Sequence, residues 1–138
     1  MNHEPRVSLA KEHEVVLALS NDLLARAESG EWRLCDAVWD DFTRRLEAHM
    51  ELEEKQLFPK LVAERPECQK DMEKLVLEHQ EIRATMNRLG LAIQLHELRE
   101  RHVRDLVTKL EHHAKAENQE FYPWLATEAP ELDRPATA

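Results

Sequence analysis

Residues 46–59, LEAHMELEEKQLFP, return as residues 110–123, LEHHAKAENQEFYP. Superposed, the two stretches share Leu46/Leu110, Glu47/Glu111, His49/His113, Glu53/Glu117 and Pro59/Pro123, and Phe58 falls on Tyr122. Each copy therefore holds a histidine followed four residues later by a glutamate. On a helix, positions i and i+4 lie one above the other on the same face. An imidazole and a carboxylate stacked in this way form half of a metal site, and the chain writes it twice.

Upstream of these blocks the duplication continues. Residues 9–23, LAKEHEVVLALSNDL, align with 75–89, LVLEHQEIRATMNRL, which sets His13 on His79, Glu12 on Glu78 and Asn21 on Asn87. The chain is thus two similar halves, each ordered as a lone histidine and then His-x-x-x-Glu. Two copies of this length fit a pair of helical hairpins related by a pseudo-two-fold axis better than they fit a solenoid.

Composition agrees with helices. Aromatic residues are 5% and charged residues 34% of the 138, with two glycines, a balance suited to long amphipathic helices and contrary to an all-β fold. Acidic residues outnumber basic ones 28 to 19, a net charge of −9, so neither a phosphate backbone nor an anionic membrane is an expected partner. Cys35 and Cys68 make no disulfide framework and read as reduced thiols of a cytoplasmic protein. No secretory leader is expected from MNHEPRVSLAKEHE, which lacks an apolar run, and no stretch is long and apolar enough to span a membrane.

The apolar spacing predicts four helices in one domain over 1–138, with its core over about 8–126 and a disordered tail from 129 to 138. The first helix runs from about Ser8 to Ala27, with Leu9, His13, Val16, Ser20, Leu23 and Ala27 on one stripe, and Ser29-Gly30 ends it. The second runs from about Glu31 to Glu64 and carries Cys35, Val38, Phe42, Leu46, His49, Glu53, Leu57 and Leu61. Pro59 should end or kink it near Phe58. The third, from about Glu67 to Leu95, carries Met72, Leu75, His79, Ile82, Met86, Leu89 and Ile93. The fourth begins near Glu97 and carries Val103, Leu106, Leu110, His113, Glu117, Phe121 and Trp124. Alternating steps of three and four mark the inward stripe of a bundle helix. Short connections predict an all-α, antiparallel, up-down-up-down four-helix bundle.

His13, His49, Glu53, His79, His113 and Glu117 all replace a hydrophobe on these stripes. A single histidine there is usually a satisfied core residue. Six ionisable groups in register, spread over four helices, are too costly to bury without compensation, and a metal supplies it. The other histidines serve as a control. His102 and His112 fall off the stripe and His3 lies at the chain start. His96, which also has a glutamate four residues on (Glu100), has no twin in the other half. Four imidazoles and two carboxylates exceed a closed tetrahedral zinc site and suit two ions bridged by the carboxylates. Mixed nitrogen and oxygen donors favour iron, then manganese, with zinc or nickel as substitutes. No histidine has the preceding Glu-x-x-His of ferritin-like bundles. HELRERH at 96–102 places its second histidine too far along for a zincin.

At these residues the chain resembles the hemerythrin-like family, the HHE cation-binding domain. The resemblance rests on His13, on HMELE with the following LFP, on EHQEI, and on HAKAE with FYP, and it covers about residues 8–126. It implies a four-helix bundle around an oxo- or hydroxo-bridged di-iron centre. His13 and His49 would hold one iron, His79 and His113 the other, and Glu53 and Glu117 would bridge. The oxygen carriers of the family have a fifth histidine one turn from the helix-3 histidine. Here those neighbours are Leu75 and Arg83, so the ligand count leaves an open position on each iron. That pattern resembles the members tied to nitrosative stress, iron–sulfur repair and peroxide decomposition more than it resembles the carriers. The expected function is reaction with dioxygen, peroxide or nitric oxide in stress response or iron handling, with an oxygen- or iron-sensing module as the alternative. Arg83 reads as a solvated residue beside the stripe, or as the partner of an acid such as Glu12 or Glu78. Tyr122 and Trp124 read as packing, with electron relay as the alternative. Phe58, Phe121 and Met86 are expected to form a hydrophobic sleeve at the metals.

Overall fold

The computed structural model describes residues 9–128, and these are helical with no strand. The predicted tail, His3 and the start of the first helix at Ser8 lie outside the described residues. Helix α1 spans Leu9–Glu28, α2 Trp32–Leu52, α3 Phe58–Glu64, α4 Gln69–Gln94, α5 Glu100–Glu120 and α6 Tyr122–Glu128. The four long helices close a ring of contacts: α1 packs on α2 and α5, and α4 packs on α5 and α2. No described helix is long and apolar enough to cross a membrane.

The duplication is visible in how the helices stop. After α1, Gly30 takes φ 75°. Its N–H donates to the Ala27 carbonyl at 3.3 Å, and the Glu31 N–H donates to the Arg26 carbonyl at 2.9 Å. This is the paired bonding of a Schellman stop, which favours glycine in the left-handed position. After α4 the same two bonds recur from His96 to Ile93 (3.1 Å) and from Glu97 to Ala92 (2.8 Å), with His96 at φ 56°. His96 thus occupies the position of Gly30 in the second hairpin, which explains a histidine that the ligand pattern left without a role.

The second helix departs from expectation before its proline. Pro59 cannot donate a backbone hydrogen bond and crowds the preceding turn. The chain responds upstream, with a π-helical stretch at Glu53–Leu57 in which the Phe58 N–H reaches back five residues to the Glu53 carbonyl. Helix α3 then begins with Pro59 in its first turn. In the other half the chain breaks at Phe121 and restarts as α6 with Pro123 at its second position. The two prolines therefore stand at equivalent places, as the repeat predicts.

Two apolar clusters fill the interior. One gathers Val16, Leu23, Phe42, Leu46, Ile82 and Leu106. The other gathers Leu57, Phe58, Leu61, Met72, Leu75, Phe121, Trp124 and Leu125. On α5, Leu110 belongs to the first and Phe121 to the second, with His113 and Glu117 between them. On α4, His79 falls between Leu75 and Ile82 in the same way. A polar layer is thus enclosed between two dry ones. Met86 packs in the first cluster rather than with Phe58 and Phe121 in the second.

Candidate metal centre

All six predicted residues are buried, Glu53 and Glu117 completely and His13 the least, at 8% exposed. They gather as two overlapping groups. His13, His49, Glu53 and Glu117 each offer a donor atom within 4.8 Å of the others, and so do His79, His113, Glu53 and Glu117. The imidazoles pair accordingly, with ring centres 4.5 Å apart for His13 and His49 and 4.6 Å for His79 and His113. Each carboxylate reaches both pairs. Glu53 Oε2 is 3.3 Å from His49 Nε2 and its Oε1 is 3.2 Å from His79 Nε2. Glu117 Oε1 is 3.6 Å from His13 Nε2 and 3.5 Å from His79 Nε2, and it also contacts His113 Nε2. His96, His102 and His112 are exposed and belong to neither group, and neither cysteine does.

Without a cation this arrangement is electrostatically frustrated. Burial, and then the negative charge of Glu117, raises the Glu53 carboxyl well above the ordinary carboxylate range. Burial would raise Glu117 too, but Glu53 and the imidazoles of His113, His13 and His79, close around it, hold it well below that range. The two neighbouring carboxyls are thus driven in opposite directions. Burial, reinforced by His13, drops His49 to about 3. His113 is raised: burial works against its charge, but Glu117 and Glu78 outweigh it. His49 Nδ1, Glu53 Oε1, His113 Nε2 and Glu117 Oε2 are buried without a hydrogen-bond partner, although such atoms are normally satisfied. All four atoms belong to residues of the two donor groups. Orphaned donors around a mixed imidazole–carboxylate pocket fit metal cations, which would replace the missing partners.

Sequence reasoning missed the residues that aim the imidazoles. His79 Nδ1 lies 2.6 Å from Glu54 Oε2, and His113 Nδ1 lies 2.7 Å from Glu78 Oε1. A carboxylate on the far nitrogen fixes the tautomer of a ligating imidazole and increases its basicity. Glu53 and Glu54, adjacent in the π-helical stretch, thus grip the two nitrogens of one ring. Arg83 extends the network, donating to Glu54 Oε1 at 3.1 Å and to Glu47 Oε1 at 3.0 Å. It is half-buried rather than free in solvent, and it pairs with neither Glu12 nor Glu78.

The repeat is broken at this level. By position Glu12 should serve His49 as Glu78 serves His113, yet Glu12 Oε1 accepts from Arg45 at 3.4 Å and His49 Nδ1 has no partner. Asn118 stands where the second half would need the counterpart of Glu54. Among the described residues, carboxylate support is seen behind the His79/His113 pair. The aromatic layer is also asymmetric. Phe58 stacks on His79, with ring centres 5.8 Å apart. Its twin Tyr122 sits edge-on to His13 at 5.3 Å, with its hydroxyl 3.1 Å from His49 Nε2 and donating to Glu53 Oε2 at 3.4 Å. Burial and the charges of Glu117 and Glu53 raise that phenol well above its ordinary range. A cavity of about 240 Å³ lined by Glu78, Ile82, Thr108, Lys109 and His113 opens beside the carboxylate-supported pair.

Comparison with known proteins gives one match. The family model of the hemerythrin HHE cation binding domain matches residues 5–125. Neither a curated protein nor a solved structure matches the chain.

Proposed function

The chain belongs to the hemerythrin HHE cation-binding domain family, and we propose that it binds two iron ions, one held by His13 and His49, the other by His79 and His113, with Glu53 and Glu117 bridging them. The observation that carries this reading is the reach of both buried carboxylates to both imidazole pairs. A site for a single ion would have no use for donors spread over two groups. The ring of helix contacts supports the antiparallel up-down-up-down arrangement as the frame of this centre.

Two adjacent iron ions supply electrons to, or accept them from, dioxygen, peroxide or nitric oxide, and reaction with such small molecules is the proposed activity. The protein's part is to aim and to exclude. Glu54 and Glu78 orient His79 and His113 through their Nδ1 atoms. The two apolar clusters keep bulk water from the polar layer, and the cavity beside His113 offers a small molecule a way in. Neither a nucleic acid nor a membrane is a proposed partner, given the acidic surface.

Anaerobic reconstitution with ferrous iron tests the site directly. About two irons per chain are expected, as for a two-metal site, and His49→Ala should lower that number. Uptake below about one iron per chain, or unchanged loading in His49→Ala, would overturn the assignment. Admission of air and then peroxide, followed optically, separates the activities. Peroxide loss with oxygen evolution marks an enzyme, and a reversible oxygenated spectrum marks a carrier or sensor.

A further inference from the structure

Three oxygen and nitrogen atoms on the His13/His49 side form a nearly equilateral triangle. His49 Nε2 to Glu53 Oε2 is 3.3 Å, His49 Nε2 to Tyr122 Oη is 3.1 Å, and Tyr122 Oη to Glu53 Oε2 is 3.4 Å. Metal–donor bonds of about 2.1 Å place neighbouring ligands about 3.0 Å apart at right angles and about 3.4 Å apart at the tetrahedral angle. All three sides fall in that range, so a single ion can stand within bonding distance of all three atoms at once. Tyr122 is buried, and its hydroxyl is delivered by the chain restart at Phe121–Tyr122 that follows Glu117. We infer that Tyr122 is a further metal ligand, its phenolate oxygen bound to the ion held by His13 and His49. The inference rests on the two-ion reading above.

The duplication supplies an internal comparison. In the other half the equivalent residue is Phe58, stacked on His79, with no donor to offer. The His13/His49 ion would therefore gain a ligand that its neighbour lacks. The two ions are made unequal in opposite ways. One takes an anionic oxygen directly, while the other has carboxylates behind its imidazoles. Binding requires the oxygen–metal bond to form as the phenol O–H bond breaks, with the proton released to solvent. No electron moves in that step.

Tyr122 is the sole tyrosine in the chain, so any tyrosinate signal is its own. The full-length protein is loaded with ferrous iron under nitrogen, oxidised in air, and its metal content measured. A phenolate-to-ferric charge-transfer band is expected in the visible spectrum, with tyrosine ring modes enhanced when Raman excitation falls within it. Tyr122→Phe should abolish both while retaining iron. Wild-type protein that holds about two irons without those ring modes would overturn the assignment of Tyr122 and leave the two-ion site standing. So would a Tyr122→Phe protein that keeps the band. Absence of iron uptake by the wild type removes both readings. If the variant loses iron, the Raman spectrum of the wild type alone decides, because no second tyrosine can contribute.

Discussion

Replacing Glu54 by Gln removes one negative charge from the far side of one imidazole and leaves the six proposed ligands in place. Glu54 Oε2 is 2.6 Å from His79 Nδ1, and Glu54 Oε1 accepts from Arg83 at 3.1 Å. Losing such an outer partner typically costs 10–100-fold in metal affinity, or about 1.4–2.8 kcal/mol. A glutamine oxygen can still accept from Nδ1, so Glu54→Gln should fall near the tenfold end and Glu54→Ala near the hundredfold end. Only one of the two binding steps should weaken, because Glu54 touches His79 alone among the imidazoles. The assay is ferrous-ion competition against a coloured chelator under nitrogen at constant pH. Glu47→Gln is the control: Glu47 shares Arg83 but touches no imidazole, so its loss should leave affinity unchanged. Glu12→Gln should be equally silent, since Glu12 is engaged by Arg45. If Glu54→Gln binds as tightly as wild type, or Glu47→Gln weakens binding as much, the carboxylate does not act through His79 and the asymmetry argued here is wrong.

The metal-free protein should melt well below the loaded form, because two buried carboxylates and four imidazoles lose their cations; equal melting temperatures with and without chelator would contradict a buried two-metal centre. Acid should destabilise the metal-free protein further. Native His49 titrates near 3 and the unfolded residue near 6.5, so its contribution is lost as pH falls below 6.5, a loss of about 4 kcal/mol by pH 3. His113 is raised and works the other way: its contribution is present at low pH and fades as pH rises through its native value. Glu117, held low, also loses its contribution in acid, whereas Glu53, raised, works with His113; urea unfolding across that range should show a net fall, and stability that rises on acidification would refute the burial argument. His96→Gly should stabilise the protein by about 1 kcal/mol, since glycine takes the left-handed position without steric cost; a lower unfolding midpoint in urea would show that the histidine side chain stabilises the helix stop by more than its backbone strain costs.

The all-helical fold, the six buried residues and the matched prolines were legible because each leaves a periodic mark. A stripe at steps of three and four can be read directly, and a ligand on it appears as a polar residue where an apolar one belongs. What escaped reading lies off the stripe. Glu54 and Glu78 each precede or follow a stripe residue by one position, where a helix wheel points them aside, and only packing against the next helix turns them onto an imidazole. Glu12 and Glu78 share a local sequence and part company because Arg45 faces one of them. The π-helical stretch has no periodic signature, and Pro59 predicts a disturbance without saying on which side of itself it falls. Tyr122 aligned with Phe58 as one more aromatic, and its hydroxyl gained meaning only from two distances. His96 was set aside for want of a twin among ligands, when its twin was a glycine.

The backbone of the second helix also keeps a reserve of length. Where the Phe58 N–H closes on Glu53 five residues back, the chain spends one residue more than an ordinary turn requires. Lys55 and Gln56, within that turn, face solvent, so the surplus sits outside the core. In a regular helix five residues would carry Phe58 well past a full turn from Glu53; the wider turn brings its N–H back over the Glu53 carbonyl, and Phe58 and Leu61 are buried beyond it. Glu54 lies inside that turn, with its carboxylate on His79 Nδ1. Among the described residues no other helix holds such slack. The chain is thus long by one residue at the single point where a neighbour of a proposed ligand must be steered, and the spare length works as a pointing adjustment.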